Sequence, residues 1–179
     1  TLTHDGHGHA ESIHYEDDLT GPVSAITSNG GVSKVLIILG VQVFMDASVT
    51  YVDSDYGLTF DNIAVGDVIE VSGYADDTNG WINATYIEKQ GLFTNFSDNI
   101  EVKGTIIGVT DSSVSISLGN SASISVTVNY NSATEFEHIP GGQLTNGMFV
   151  EAKGHLPSLD GNILAREIEI ETDDHHSDD

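Results

Sequence analysis

One segment of this chain occurs twice, and the two copies align without a gap over residues 65–88 and 146–169. The matched positions are Gly66 with Gly147, Glu70 with Glu151, Gly73 with Gly154, Ala84 with Ala165, Ile87 with Ile168, and Glu88 with Glu169. Self-similarity at a fixed offset constrains the architecture more than any other sequence feature. We therefore expect two copies of one small domain.

Each copy has the pattern of a β-hairpin. In the first copy, side chains alternate between two faces over residues 68–73, as they do along an extended strand. The polar residues 75–80 then return the chain, and residues 81–88 run back as the partner strand. In the second copy, residues 156–161 form the corresponding turn.

The rest of each copy also reads as short strands separated by turns, with hardly any helical pattern. The predicted strands cover residues 21–26, 32–39 and 41–45 in the first copy, and 100–109, 114–118 and 122–128 in the second. Such spacing is typical of small β-barrels, in which closure removes the sheet edges. The expected fold is all-β, with two tandem OB-like or SH3-like barrels.

These patterns also set the expected domain boundaries. The first repeat spans residues 19–90, the linker 91–99 and the second repeat 100–172. Leu92, Phe93 and Phe96 of the linker are expected to pack between the repeats. Residues 1–18 and 173–179 have no periodicity and few apolar side chains, so they are expected to form extended tails rich in His and Asp.

The charge of the chain excludes one class of partner. Twenty-eight acidic residues against five basic ones give a net charge of −23. Nucleic-acid binding relies on clustered lysine and arginine, so this chain should not bind nucleic acid. The chain has no cysteine, which excludes disulfides and thiolate metal sites. Its longest apolar run, residues 35–39, is the length of a strand and far shorter than a membrane span.

The first residue of the sequence points to export. The first residue is Thr rather than Met, which we interpret as a mature N-terminus left after removal of a signal peptide. The sequons at Asn83 and Asn95 would be glycosylation acceptors if the protein is exported from a glycosylating cell. The expected location is therefore extracellular or at the cell surface.

The repeated hairpin resembles a known family. The segments 66–73 and 80–88, with their counterparts 147–154 and 161–169, are similar to the bacterial and archaeal domain family DUF5666. Met148 departs from the pattern, since the first copy has Asp67 there. The resemblance implies exported, often tandem, small β-barrel domains, and it implies no active-site residues.

The histidines are the strongest candidates for chemistry. The tails carry six of the eight: His4, His7, His9, His14, His175 and His176. Neutral imidazole suits zinc, copper and nickel, and histidine-rich tracts are typical of metal binding. We predict a transition-metal site at these residues, with copper as the first candidate and zinc as the second. His138 and His155 are interpreted as solvated or hydrogen-bonded side chains.

Other kinds of site are not supported by the sequence. Residues 53–57 begin like a calcium loop, but Ala64 stands where an EF-hand needs its bidentate glutamate. No nucleophile elbow, phosphate loop or dinucleotide motif is present, so the chain is not expected to be an enzyme.

Two functions remain open at this point. The first is an extracellular structural subunit that assembles head to tail with copies of itself, with terminal histidines holding metal at the subunit junctions. The second is a soluble secreted or periplasmic protein that binds copper or zinc. Tails that bind a neighbouring subunit favour the first, whereas tails that bind only an ion favour the second.

Overall fold

The computed structural model describes residues 19–29, 31–94, 99–119 and 122–171, and these residues form an all-β structure. Helical structure among them is limited to two 3₁₀ segments of three residues each, Asp55–Gly57 and Pro140–Gly142. No helix in this part of the chain is long and apolar enough to cross a membrane. The prediction of an all-β fold in two tandem copies is confirmed.

The first repeat contains six strands, and five of them pair in a closed circuit. The strands are β1 (Leu19–Asn29), β2 (Ser33–Ile38), β3 (Val41–Asp46), β4 (Tyr51–Val52), β5 (Asp67–Asp76) and β6 (Trp81–Leu92). Strands β1, β2 and β3 pair antiparallel in succession, and β3 then pairs parallel with β6. Strand β6 pairs with β5, and β5 pairs with β1. Strand β4 adds to β6 from outside this circuit.

The second repeat has the same order. Its strands are β7 (Ile100–Val109), β8 (Ser113–Ser117), β9 (Ser125–Asn129), β10 (Glu135–Glu137), β11 (Phe149–His155) and β12 (Ile163–Ile170). The circuit runs from β7 through β8, β9, β12 and β11 back to β7, and β10 adds to β12 from outside. The sequence patterns did not predict β4 and β10.

Equivalent glycines have equivalent backbone roles. Gly66 and Gly147 precede the hairpin strand, and both have φ of +91°, a region that glycine enters without the strain of a side chain. Gly73 and Gly154 lie at register shifts of their hairpins, pressed against the carbonyl oxygens of the partner strands. These contacts explain why the repeat keeps glycine at these positions.

Each repeat also buries one threonine in the same role. The hydroxyl of Thr50 donates a 2.8 Å hydrogen bond to the carbonyl oxygen of Ala84. The hydroxyl of Thr134 donates an equal 2.8 Å bond to the carbonyl oxygen of Ala165. Both threonines are 8% exposed, and each links the loop after a hairpin to a strand of the core.

The apolar core follows the alternation of the strands. Strand β2, for example, alternates half-buried and buried residues along its whole length, and Leu36 and Ile38 have no exposed surface.

The packing of the linker residues differs from the prediction. Leu92 extends β6 and is 67% exposed, whereas Phe93 packs against the core. Phe96 lies outside the described residues.

The two repeats meet through their first strands. Leu19 lies opposite Val102, and Thr20 lies opposite Glu101, in an antiparallel pairing of β1 with β7. Leu19 and Val102 are both fully enclosed. The described chain also ends beside β7, because Glu171 forms a 3.5 Å ion pair with Lys103. Residues 19 and 171 therefore both reach the same stretch of β7.

Candidate metal centre

The parallel pairing of β10 with β12 brings four glutamates onto one face. Glu135 lies opposite Glu167, and Glu137 lies opposite Glu169. Side chains two residues apart on a strand point to the same side, so the four carboxylates form two neighbouring cross-strand pairs. We call these four residues the glutamate face.

His138 lies directly after β10 and reaches back to this face. Its Nδ1 atom is 3.0 Å from Oε1 of Glu169. The backbone of His138 has φ of +56°, a conformation that only a few per cent of residues other than glycine adopt. One ligand atom from each of Glu137, His138 and Glu169 can be chosen so that all three lie within 4.8 Å of one another. We call these three residues the Glu–His–Glu cluster.

The cluster is accessible and strongly acidic. The side chain of His138 is 72% exposed and that of Glu169 is 29% exposed. Among the described residues, neither Glu137 nor Glu169 forms an ion pair with lysine or arginine. Like charges placed directly opposite each other across a sheet destabilise it, so a cation would stabilise this face.

The first repeat has a different arrangement at the equivalent place. There Asp53 follows β4 and Glu88 lies on β6, and the hydroxyl of Tyr86 is directed at both carboxylates. The hydroxyl oxygen is 3.1 Å from Oδ2 of Asp53 and 3.0 Å from Oε2 of Glu88. Burial, together with the hydrogen bonds to Glu88 and Asp53, raises the pKa of Tyr86 above its usual range. The first repeat thus supplies its own donor between two acids.

Tyr86 is also supported from its other side. Its ring stacks on the ring of Tyr51, with centroids 5.8 Å apart and an interplanar angle of 14°. Tyr51 lies opposite Tyr86 in the parallel ladder, as Glu135 lies opposite Glu167 in the second repeat. A stacked tyrosine pair in one repeat is therefore replaced by a glutamate pair in the other.

The chemistry of the Glu–His–Glu cluster suits coordination of a cation. One imidazole nitrogen and two carboxylate oxygens are ligands that proteins use for zinc and other divalent transition metals. The open side of the cluster leaves room for water to complete the coordination. The cluster contains no serine, threonine, cysteine or lysine nucleophile.

The comparison with protein families agrees with the internal symmetry. The family model described as a domain of unknown function (DUF5666) matches residues 20–88 and 103–169. The chain belongs to the DUF5666 family. No curated protein matches this sequence.

The second DUF5666 match contains the Glu–His–Glu cluster, and neither match contains the terminal histidines. The metal ligands predicted from the sequence all fall in residues 1–18 and 172–179, outside the described part of the chain: His4, His7, His9, His14, His175 and His176. The predicted terminal site therefore stays a prediction. Of the remaining histidines, His155 lies at the end of β11, opposite Leu164.

The interpretation of His138 as a hydrogen-bonded histidine agrees with its contact to Glu169. The sequence patterns of the DUF5666 repeats did not predict that Glu137 lies in the same cluster. The aligned sequences of the repeats contain one signal for this cluster. Aligning the repeats places Glu169 on Glu88, and the Glu137-His138 pair precedes the 3₁₀ segment in the loop before the second hairpin. Their proximity depends on the pairing of β10, a strand too short to show a pattern.

Proposed function

We propose that this chain is an extracellular structural subunit that assembles head to tail into a filament and binds transition-metal ions. In this proposal, the terminal histidines hold copper, or zinc as the second candidate, at the junctions between subunits. The observation that supports it most is that the first described residue, Leu19, and the side chain of the last, Glu171, both reach β7. The role is structural rather than catalytic, and the protein is exported before it assembles.

The attachment of the tails favours shared metal ligands. Leu19 begins the described chain opposite Val102, and Glu171 ends it in an ion pair with Lys103. The first and last described residues therefore lie near one stretch of β7. Histidines from residues 1–18 and 172–179 can therefore contribute to the same junction.

The free strand edges offer a place for a neighbouring subunit. Within the described residues, β4 pairs only with β6, and β10 pairs only with β12. Each strand therefore has one edge whose main-chain groups face no other described strand. We propose that residues 11–18 of one subunit add as a strand to such an edge of the next subunit. A contact between unlike surfaces that does not close a ring generates an open filament.

Cations would also offset the repulsion between subunits. Each subunit carries a net charge of −23, so close approach of two subunits is opposed electrostatically. Metal ions at the junctions reduce that charge where the surfaces meet.

We further propose that each repeat is a small OB-like or SH3-like barrel, a form supported by the closed circuits of strand pairing.

The test is assembly of the full chain compared with a chain lacking residues 1–14. We expect the full chain to form filaments visible by electron microscopy, and the shortened chain to keep the same circular dichroism spectrum without assembling. A chelator should loosen the junctions of the full chain. A full chain that sediments as a monomer with copper or zinc present would contradict the filament.

The second candidate is a soluble secreted or periplasmic protein that binds copper or zinc. The Glu–His–Glu cluster favours it, because its three ligands come from one subunit and need no neighbour. Sedimentation with metal distinguishes the candidates. A monomer that retains metal supports the soluble protein, and a polymer that loses metal and falls apart with chelator supports the filament.

A further inference from the structure

We propose that the second repeat holds a divalent transition-metal ion of the zinc class between Glu137, His138 and Glu169, independently of the terminal histidines. The site lies on one repeat and within the described residues. It would therefore bind metal whether or not the chain assembles.

The geometry is close to that of a bound ion. Nitrogen and oxygen ligands lie about 2.0–2.2 Å from zinc, which places neighbouring ligands of a tetrahedral site about 3.4 Å apart. Nδ1 of His138 and Oε1 of Glu169 are 3.0 Å apart. The three ligand atoms all lie within 4.8 Å of one another. The exposed side chain of Glu137 can rotate to bring its carboxylate closer to the other two ligands. Metal would take the place of the hydrogen bond between His138 and Glu169.

The comparison of the two repeats gives an independent reason to expect a cation. In the first repeat, the hydroxyl of Tyr86 lies between the carboxylates of Asp53 and Glu88, within donating distance of each. In the second repeat, Glu167 occupies the position of Tyr86, so the donor is lost and another negative charge is gained. The imidazole of His138 forms its hydrogen bond with Glu169. A bound cation would replace the missing donor.

The ligand types select the class of metal. Calcium and magnesium prefer oxygen ligands alone, and calcium takes six to eight of them. An imidazole with two carboxylates and open positions for water is better suited to zinc, and to neighbouring divalent metals such as cobalt and nickel. Zinc is the appropriate probe because it does not change oxidation state.

The experiment measures zinc bound to the full-length chain in which the six terminal histidines are replaced by glutamine. Equilibrium dialysis followed by elemental analysis gives the number of ions, and titration calorimetry gives the affinity. We expect this variant to retain one zinc ion per chain in the presence of excess calcium. Adding His138→Asn or Glu169→Gln should lower the affinity for that ion by about tenfold or more. Asparagine is used because it tolerates positive φ.

Glu88→Gln is the matched control, since Glu88 occupies the position of Glu169 in the first repeat. It should leave zinc binding unchanged. Thermal unfolding without metal checks that every variant is folded, and Glu169→Gln provides a second test if His138→Asn unfolds the loop. The site would be overturned if His138→Asn and Glu169→Gln both bound zinc as tightly as the chain that lacks only the six terminal histidines. Failure to assemble would not affect it, because the measurement requires only the monomer.

Discussion

Leu19 of the first repeat lies directly opposite Val102 of the second, and the two residues occupy equivalent positions in their repeats. The equivalence follows from their partners, since Leu19 pairs with Val71 and Val102 pairs with Ala152 at matched places in the two hairpins. Equivalent residues that face each other in an antiparallel pair imply a local two-fold relationship. The junction thus joins the two cores into one apolar cluster.

This junction should make the repeats unfold together. We expect Leu19→Ala to lower the free energy of unfolding by about 2–5 kcal/mol, the usual cost of truncating a buried leucine. Denaturant unfolding followed by circular dichroism measures it. Leu92→Ala is the control, because Leu92 is 67% exposed and surface substitutions usually change stability by less than about 0.5 kcal/mol. Equal effects of the two variants would show that the junction contributes little.

Two glycines of the same strand should respond differently to alanine. A Cβ atom at Gly104 would overlap the carbonyl oxygen of Ser117, whereas a Cβ at Gly108 would meet its nearest neighbours in Ser115 at 3.7 Å. Gly104→Ala should therefore cost about 1–3 kcal/mol of stability through overpacking. Gly108→Ala should be close to neutral. The midpoints of thermal unfolding compare them, and a tolerated Gly104→Ala would contradict the close approach of β7 and β8.

The buried threonines should be equally sensitive in the two repeats. Thr50→Val and Thr134→Val keep the shape but remove the hydroxyl, which leaves the carbonyl oxygens of Ala84 and Ala165 without their donor. A buried polar group left unsatisfied costs about 1–3 kcal/mol. Denaturant titration should give similar losses for the two variants. A large loss in only one repeat would show that the two hydrogen bonds are not equivalent.

The raised pKa of Tyr86 predicts that the folded protein loses stability in alkali. Its pKa is raised in the folded protein by burial and by the hydrogen bonds to Glu88 and Asp53. The raised folded pKa favours the neutral hydroxyl, so its contribution is fully present below the unfolded pKa of about 10. It is lost as pH rises through the folded pKa. Stability measured between pH 9 and about 11.5 should therefore fall more steeply in the parent than in Tyr86→Phe. Parallel curves would contradict this.

The terminal metal site should depend on pH. Free imidazole has a pKa of about 6.5, and only its neutral form binds metal, so copper held by the tails should be released as pH falls below that value. Replacing His7 and His9 with alanine should reduce the copper content of the purified protein. Elemental analysis provides the measurement. A copper content that the double substitution leaves unchanged would rule out this cluster.

The sequence predicted the repeated elements because their patterns are long enough to read. The hairpin strands β5 and β6 contain ten and twelve residues, so alternation and turn chemistry are both visible. Strands β4 and β10 contain two and three residues, too few for any periodicity. The antiparallel pairing of Leu19 with Val102 was also inaccessible, because contact between distant strands depends on register rather than on local pattern.

The candidate site shows the same limit. Terminal histidines attract attention because they are close together in sequence, whereas His138 and Glu169 are 31 residues apart. Only the pairing of Glu137 with Glu169 brings the cluster together. The exchange of Tyr86 for Glu167 is visible in the aligned repeats, but its meaning depends on knowing that Tyr86 lies between two acids.

The approach of Leu19 and of the Glu171 side chain to β7 has a consequence for rearranging the protein. A flexible linker from residue 171 to residue 19 would close the described chain, and new ends could then be opened in the turn at residues 77–80, where Thr78 and Asn79 are exposed. Such a circular permutant keeps every strand pairing and both repeats. It also moves the ends from residues 19 and 171 to the turn of the first hairpin. Circular permutation would therefore separate the folding of the two repeats from the roles of residues 1–18 and 172–179.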